Sequence, residues 1–164
     1  GSMGYKSKIQ FSDLKAKKYK TTIKGIPRSF NPNPRSRFYF DNNGRYKGYK
    51  FYKHGINGIQ PTGKILCEFV LPGAQFEGNI IFRNLTSEQL QLLCFSLGLS
   101  GDINPKIGYG KQYFYGSIIV KSDPKWEEIA NQYKVTGYSD IKNNIDCLTN
   151  ILNFKNAVRS IDEG

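Results

Sequence analysis

The chain has 164 residues, of which 38% are hydrophobic and 14% aromatic, and it carries a net charge of +11 at neutral pH. This length and apolar content predict one folded domain with a buried core, or one domain with a small appendage, and exclude an intrinsically disordered chain. No apolar run approaches the roughly 20 residues that a membrane-spanning helix needs.

The cysteine and histidine content bears on metal sites and on the cellular compartment. Cys67, Cys94 and Cys147 are widely spaced in apolar surroundings, which is typical of reduced thiols in a cytoplasmic protein. Zinc needs about four ligands at short spacings, and the three cysteines and the single histidine are scattered along the chain, so no metal and no cofactor is expected. Residues 1–3, Gly-Ser-Met, are typical of an expression-tag remnant and a start methionine, and no signal peptide follows.

Positive charge is concentrated in the front of the chain. Residues 1–64 contain fifteen lysines and arginines against two acidic residues, a net charge of +13, whereas the remaining residues carry −2. Eleven aromatic residues are interleaved with these cations. Surfaces that bind single-stranded nucleic acid combine cations for the phosphates with rings that stack on the bases. The front half is therefore predicted to bind a polyanion, and a merely solvated basic face is the alternative.

The first elements are a short strand and a basic connection. Residues 7–11 alternate as a strand does, and residues 14–24 are expected to be a surface helix turn or a flexible arm. Residues 25–37 contain three prolines and three arginines, a composition typical of an extended loop. Guanidinium groups bind phosphates through paired hydrogen bonds, and the alternative is a surface loop without a ligand. The candidate phosphate contacts of this loop are Arg28, Arg35 and Arg37.

A hairpin is predicted where Phe38-Tyr39-Phe40 precedes Asp41-Asn42-Asn43-Gly44, because Asn-Gly is a strong hairpin-turn signal. The returning strand, residues 45–54, is basic and aromatic. Its candidate nucleic-acid contacts are Lys47, Lys50, Tyr52, Lys53 and His54.

His54 is the one histidine of the chain, so any histidine-dependent catalysis has to use it. Next to Tyr52 and Lys53 it is a candidate general base for attack by a ribose 2′-hydroxyl. The alternative is a base-stacking or structural histidine, which is the commoner role for a histidine in such a strand.

Two strands and a helix are predicted next. Residues 64–71 and 75–82 form a central hairpin about Pro72-Gly73. Thr86 and Gln89 then make the capping-box pattern of a helix that ends near Gly98. The hairpin, this helix and a later strand over residues 113–120 are expected to form one sheet-and-helix layer.

A glycine-rich loop precedes that later strand. Residues 108–116 read Gly-Tyr-Gly-Lys-Gln-Tyr-Phe-Tyr-Gly. Glycines let backbone N–H groups approach a phosphate, lysine supplies a charge, and aromatic rings stack on bases. Gly108, Gly110 and Lys111 are therefore candidate nucleic-acid contacts. A glycine-broken entry into an edge strand is the alternative.

Two helices are predicted at the C-terminus. Ser122-Asp123-Pro124 begins a short amphipathic helix, and Ser139 caps a longer one. The apolar positions of the longer helix are expected to face the core. They are Ile141, Ile145, Leu148 and Leu152.

Several motifs together resemble the C-terminal half of RAMP-superfamily proteins, the RNA-binding subunits of CRISPR type III effector complexes. The resemblance covers roughly residues 8–120, in the family's order. The motifs are Ile9-Gln10-Phe11-Ser12-Asp13, Lys47-Gly48-Tyr49-Lys50-Phe51-Tyr52-Lys53-His54, Phe76-x-Gly78-x-Ile80-x-Phe82-x-Asn84-Leu85-Thr86, Ile107-Gly108-Tyr109-Gly110-Lys111 and Tyr115-Gly116-Ser117-Ile118.

The sequence also departs from that family. RAMP backbone subunits usually open with a Gly-Ser-Ser-x-Lys-Gly-like element, which has no match here. The aspartate with which some of them cleave target RNA has no counterpart either. The resemblance therefore implies RNA binding and does not imply target cleavage.

The resemblance implies an α+β fold: a ferredoxin-like (RRM-like) antiparallel sheet with helices on one face and a C-terminal helical extension. Residues 4–63 are expected to be the basic RNA-binding segment, 64–121 the ferredoxin-like core and 122–164 the C-terminal helices. The implied ligand is single-stranded guide or target RNA in a cytoplasmic antiviral ribonucleoprotein. The implied partners are other effector subunits or the rest of a split RAMP protein. The alternatives are a metal-independent endoribonuclease that uses His54 and a non-catalytic structural subunit.

Overall fold

The computed structural model describes residues 6–28, 33, 37–56, 63–133 and 139–159. The architecture is α+β, as predicted, with small antiparallel sheets and three helices in this part of the chain. In chain order the elements are β1 (Ile9–Phe11), β2 (Lys15–Lys18), β3 (Thr21–Ile26), β4 (Ile65–Val70), β5 (Gln75–Glu77), β6 (Ile80–Phe82), α1 (Ser87–Ser96), α2 (Pro124–Asn131) and α3 (Ser139–Leu152).

The six strands form one interrupted β-ribbon with two arms. β1, β2 and β3 make the first arm, and β4, β5 and β6 return along it, so β3 pairs with β4, β2 with β5 and β1 with β6. All three pairs are antiparallel. The two ends of the ribbon, at the Ile9–Phe82 and Ile26–Ile65 pairs, follow the same pairing register. Between them the register shifts at an irregularity between Ala16 and Lys18 in β2. The ribbon therefore joins the basic front of the chain to residues 65–82.

The prediction for residues 14–24 is wrong, because this stretch is neither a helix turn nor a flexible arm. It contributes β2 and β3 to the ribbon. Its own sequence has little period-two alternation, so the partner arm, far along the chain, decides its conformation.

The predicted hairpin about Pro72-Gly73 is also wrong. β4 and β5 belong to the same arm and pair with β3 and β2. Gly73 has a φ of 86°, and the Ala74 N–H donates to the Leu71 carbonyl at 3.4 Å. This turn interrupts the returning arm between β4 and β5 without reversing its pairing.

The two faces of the β3–β4 pair differ in burial. On one face Ile26 is fully buried, and the Phe69 ring lies 4.6 Å from the Tyr115 ring. Residues that oppose one another across a ladder share a face. By this rule the other face carries Ile23, Leu66 and Val70, all exposed. The ribbon therefore packs on the rest of the protein through one face.

The capping box at the start of α1 is confirmed. Thr86 Oγ1 accepts the Gln89 N–H at 3.3 Å, and the Thr86 N–H donates to Gln89 Oε1 at 3.2 Å. The helix ends at Ser96, and Gly98 follows with a φ of 81°. A Cβ at this glycine would collide with the Ile103 carbonyl oxygen, so the chain can reverse here only at glycine.

The remaining helices form where they were predicted. α2 begins with Pro124 in its first turn and packs on α1, with the Phe95 and Tyr133 rings 4.9 Å apart. The Phe82 ring of β6 meets Trp126 of α2 edge-on at 5.8 Å. α3 ends at Leu152. No helix in the described part of the chain combines the length and apolar character that crossing a bilayer requires.

The predicted strand over residues 113–120 is not formed. Lys106 and Ser117 make one isolated antiparallel bridge, and residues 111–113 form a short 3-10 helix instead. Gly116 lies under the Ile107 carbonyl oxygen, so residues 106–117 close on themselves as a loop. The expected layer of hairpin 64–82, helix 86–98 and strand 113–120 is therefore absent.

Candidate nucleic-acid interface

The middle of the ribbon, β2 with β5, is basic and open to solvent. Every residue of both strands is exposed. Lys17 pairs with Glu77 at 2.7 Å, and this hydrogen bond and charge lower the pKa of the Glu77 carboxyl. Lys15 lies opposite Glu77 in the strand register and its charge also lowers the pKa of that carboxyl, whereas Lys18 makes no ion pair with any described carboxylate. The middle of the ribbon therefore presents three ammonium groups and one carboxylate.

The predicted hairpin of residues 38–54 is confirmed at its tip. Phe40 and Tyr46 form an antiparallel bridge, and their rings lie 4.9 Å apart. Asp41 Oδ1 accepts two backbone N–H groups of the turn at 2.8 Å, and Gly44 has a φ of 74°. Beyond the Lys47 N–H, which donates to the Tyr39 carbonyl, the returning segment to residue 54 forms no strand.

Aromatic rings stand in solvent around this hairpin. Phe38 is 92% exposed, Tyr46 73% and Tyr49 94%. Exposed rings of this kind are platforms on which unpaired bases stack, at about 1–3 kcal/mol per base. Lys47, between two of the tyrosines in sequence, is exposed as well.

Lys50 lies between two tyrosine rings. Its Nζ is 5.2 Å from the centroid of Tyr39 and 5.1 Å from that of Tyr52, and it donates to Tyr39 Oη at 3.2 Å. The hydrogen bond to Tyr39 raises the pKa of Lys50 although partial burial opposes it. This arrangement holds a permanent cation beside two aromatic faces.

His54 is fully buried. Its Nδ1 lies 2.8 Å from Ser117 Oγ, and its Nε2 lies 2.9 Å from the Asn104 carbonyl oxygen and 3.1 Å from that of Leu152. A nitrogen between two carbonyls must donate, so Nε2 carries the proton and Nδ1 accepts from the Ser117 hydroxyl. Burial, with the nearby Lys106 ammonium, lowers the pKa of His54.

His54 therefore joins three parts of the chain. Its own carbonyl also accepts the Val158 N–H at 2.8 Å. The ring meets Phe154 at 4.4 Å in an edge contact. Both nitrogens are engaged and no surface is exposed, which is the geometry of a structural histidine and leaves no access for a ribose hydroxyl.

The glycine-rich loop holds its own lysine. Lys111 Nζ donates to the Gly108 carbonyl at 2.8 Å. Gly108 has a φ of 83° and is exposed, and a Cβ there would meet nothing within 4 Å. Gly110 has a φ of 78° and is buried, and a Cβ there would lie 2.9 Å from Cδ2 of Tyr115. The two glycines therefore differ in their surroundings: Gly108 adjoins open space, and Gly110 adjoins the Tyr115 side chain.

An open pocket of about 550 Å³ lies beside this loop. Its walls are mostly apolar side chains, and three lysines also line it: Lys50, Lys106 and Lys111. We call it the lysine pocket. The apolar lining comes from α1, α3 and the segments near residues 51 and 103–105, and includes Phe51, Leu92, Phe95, Ile103, Leu148 and Leu152. No described carboxylate lines it.

Lys106 combines a hydrogen bond to the backbone with a lowered pKa. Its Nζ donates to the Lys53 carbonyl at 3.0 Å. Burial, and then the charge of Lys111, lowers its pKa to about 8. No described acid offsets this charge, so an anion in the pocket would be favoured.

The structure brings some of the predicted contacts together and separates others. Lys50, Tyr52 and Lys111 all line the lysine pocket. Arg28 and Arg37 are exposed and do not line it, and Lys47 lies near the hairpin. Lys53 is half-buried and offers its carbonyl to the pocket lysine. Arg35 lies outside the described residues.

Sequence reasoning missed Lys106 and the exposed apolar residue Leu92. Lys106 directly precedes the Ile-Gly of the glycine-rich loop, so its position beside the loop was a usable signal. Leu92 interrupts the polar side of a helix whose buried face carries Cys94, and it is 44% exposed at the pocket. The sequence signal for this wall of the lysine pocket was therefore an apolar residue, Leu92, outside the apolar face of α1.

No cluster of three or more histidine, cysteine or acidic side chains suited to a metal ion occurs among the described residues. Comparison of the chain with protein-family models, curated proteins and solved structures found no match.

Proposed function

We propose that this protein binds single-stranded RNA, guide or target, as a RAMP-type module of a CRISPR type III-like antiviral effector complex. The basic ribbon and the aromatic hairpin supply the main contacts. The protein acts in the cytoplasm beside other effector subunits.

One observation carries the binding function: in the hairpin, the exposed Lys47 and Lys50 occur together with the exposed rings of Tyr46 and Tyr49. Lys15 and Lys18 project from a ribbon with no buried residue in its middle. Tyr46 and Tyr49 expose most of their rings near Lys47. Ammonium groups release counterions from a phosphate chain, and rings stack on bases, so this combination supports single-strand binding.

The family part of the proposal is supported by the order of the sequence motifs. A ferredoxin-like arrangement is the fold that this membership would require. The endoribonuclease alternative gains nothing from the geometry of His54, whose ring nitrogens are occupied by protein groups.

Fluorescence anisotropy with a labelled 15-nucleotide RNA tests the binding function. The triple variant Lys15→Gln, Lys18→Gln, Lys47→Gln should weaken binding at least tenfold at 100 mM salt. The salt slope should flatten by about two, because each single-strand phosphate contact contributes about 0.7.

The matched control removes three lysines from the C-terminal part: Lys121→Gln, Lys142→Gln, Lys155→Gln. All three are exposed, so both variants lose the same charge. Equal weakening by the two variants would mean that net charge alone attracts RNA. Absence of RNA binding by the wild-type protein would overturn the proposal.

A further inference from the structure

The lysine pocket is larger and more apolar than phosphate binding requires. Its volume of about 550 Å³ is in the range of small-molecule sites, which run from about 300 to 1,000 Å³. Two apolar residues of its wall are exposed to solvent, Phe51 by 50% and Leu92 by 44%. The pocket therefore offers an apolar surface that the protein itself leaves uncovered.

The lysines of the pocket indicate which charge its occupant carries. Each of the three lysines uses one donor on a neutral oxygen: Lys50 on Tyr39 Oη, Lys106 on the Lys53 carbonyl and Lys111 on the Gly108 carbonyl. An ammonium group has three donors. None of the three makes an ion pair with a described carboxylate. The occupant should thus join an apolar body to an anionic group.

The lining decides between kinds of occupant. An extended peptide would need open backbone groups, but α1 and α3 use theirs within the helices. A flat aromatic body suits the rings of Phe51, Tyr52 and Phe95, because offset or edge contacts between rings are favourable.

We propose that the lysine pocket binds one nucleotide, with the base against its apolar wall and the phosphate at its lysines. The nucleotide is either free or one residue of a bound single strand, and the second case rests on the RNA-binding function proposed above. An anion here also relieves the repulsion between Lys106 and Lys111, which contributes to the low pKa of Lys106.

The test fills the pocket without changing charge. Leu92→Trp places a large ring at the pocket wall, and Leu66→Trp places the same ring on the exposed face of the ribbon, where Leu66 is 74% exposed. Thermal denaturation verifies that both variants are folded. The first probes are adenosine monophosphate and uridine monophosphate, whose binding is measured by calorimetry. The second probe is an RNA that carries a single 2-aminopurine, whose fluorescence reports binding.

Leu92→Trp should weaken nucleotide binding at least tenfold and abolish the 2-aminopurine quenching, while Leu66→Trp leaves both unchanged. Lys106→Met, which keeps the aliphatic stem, should weaken monophosphate binding about fivefold and leave binding of the uncharged nucleoside unaltered. A pocket that binds dodecanoate and neither monophosphate nor RNA base would overturn the proposal in favour of an acyl-chain site.

The two proposals fail differently. If Leu92→Trp leaves RNA and monophosphate binding intact while the Lys15, Lys18, Lys47 variant still weakens RNA, the pocket proposal is overturned and the RNA-binding function stands. If no RNA binds but monophosphate binds and Leu92→Trp abolishes it, the function is overturned and the pocket is a free-nucleotide site.

Discussion

At the scale of single residues, the two loop glycines make opposite demands. Gly108 is exposed with empty space where a side chain would stand, whereas Gly110 is buried against Tyr115. Both have positive φ, which asparagine tolerates far better than alanine or valine. The residue that can admit a ligand is therefore Gly108, and Gly110 serves the turn.

Gly110→Ala should lower stability by about 1–2 kcal/mol, because alanine is strained at this φ and its Cβ would press on Tyr115. Gly108→Asn should leave stability within about 0.5 kcal/mol and weaken RNA binding severalfold by blocking the approach to the backbone. Urea denaturation and anisotropy separate the effects. Loss of stability in Gly108→Asn without loss of affinity would assign both glycines to the turn.

The burial of His54 predicts a pH dependence of stability. Its pKa is lowered in the folded state, so below its ordinary value near 6.5 the unfolded chain binds more protons than the folded one. Stability is fully present above that pH and falls as the pH drops towards 5, by up to about 1.4 kcal/mol per unit. The neighbouring Lys106 opposes the proton, and the lowered pKa values of Glu77 and Glu88 place their titration below this window.

Urea midpoints at pH 7.5, 6.5 and 5.5 measure this effect. His54→Gln should be less stable at pH 7.5, because it disturbs the bonds to Ser117 and to the two carbonyls, and its midpoint should vary less with pH. Parallel slopes for the variant and the wild type would show that other groups cause the acid sensitivity.

At the scale of elements, the ribbon can be tested with one substitution. Lys24 and Cys67 are directly opposite in the β3–β4 pair, and opposed residues have Cα atoms about 4.5–5.5 Å apart, within disulfide range. Lys24→Cys should therefore form a disulfide with Cys67 on mild oxidation. Peptide mapping without reduction would identify the cross-link.

The control for this cross-link is the double variant Glu68→Cys, Glu77→Cys. A hairpin symmetric about Pro72-Gly73 would place residues 68 and 77 directly opposite one another, whereas the ribbon places them opposite Ile23 and Lys15. A cross-link between these two positions, with none in the Lys24→Cys variant, would contradict the pairing of the ribbon.

The elements also show which parts of the fold the sequence predicts. The capping box of α1, the proline start of α2 and the Asn-Gly turn at residues 43–44 each depend on a few adjacent residues, and each is confirmed. β2 and β3 depend on a partner arm far along the chain, and no local period reveals that partner. Pro72-Gly73 carries a genuine turn signal, but a turn does not specify which strands pair across it.

At the scale of the whole molecule, charge is the property that the sequence predicts most directly. The excess of lysine and arginine in residues 1–64 is a matter of counting, and the described part of that segment keeps those side chains largely exposed. The lysine pocket could not be predicted from such counts. It gathers residues from near positions 50, 92, 106 and 148, whose proximity exists only after folding.

The nested ribbon also sets an order of events during synthesis on the ribosome. Val70, the partner of Thr21, is made roughly fifty residues later, which takes about 3–10 s at usual elongation rates. For that interval the first arm has no strand to pair with. Its lysines at 15, 17, 18 and 20 repel other nascent copies, as charges beside an unpaired edge do. The same side chains that are proposed to hold a phosphate chain in the finished protein are thus expected to oppose aggregation of the growing chain.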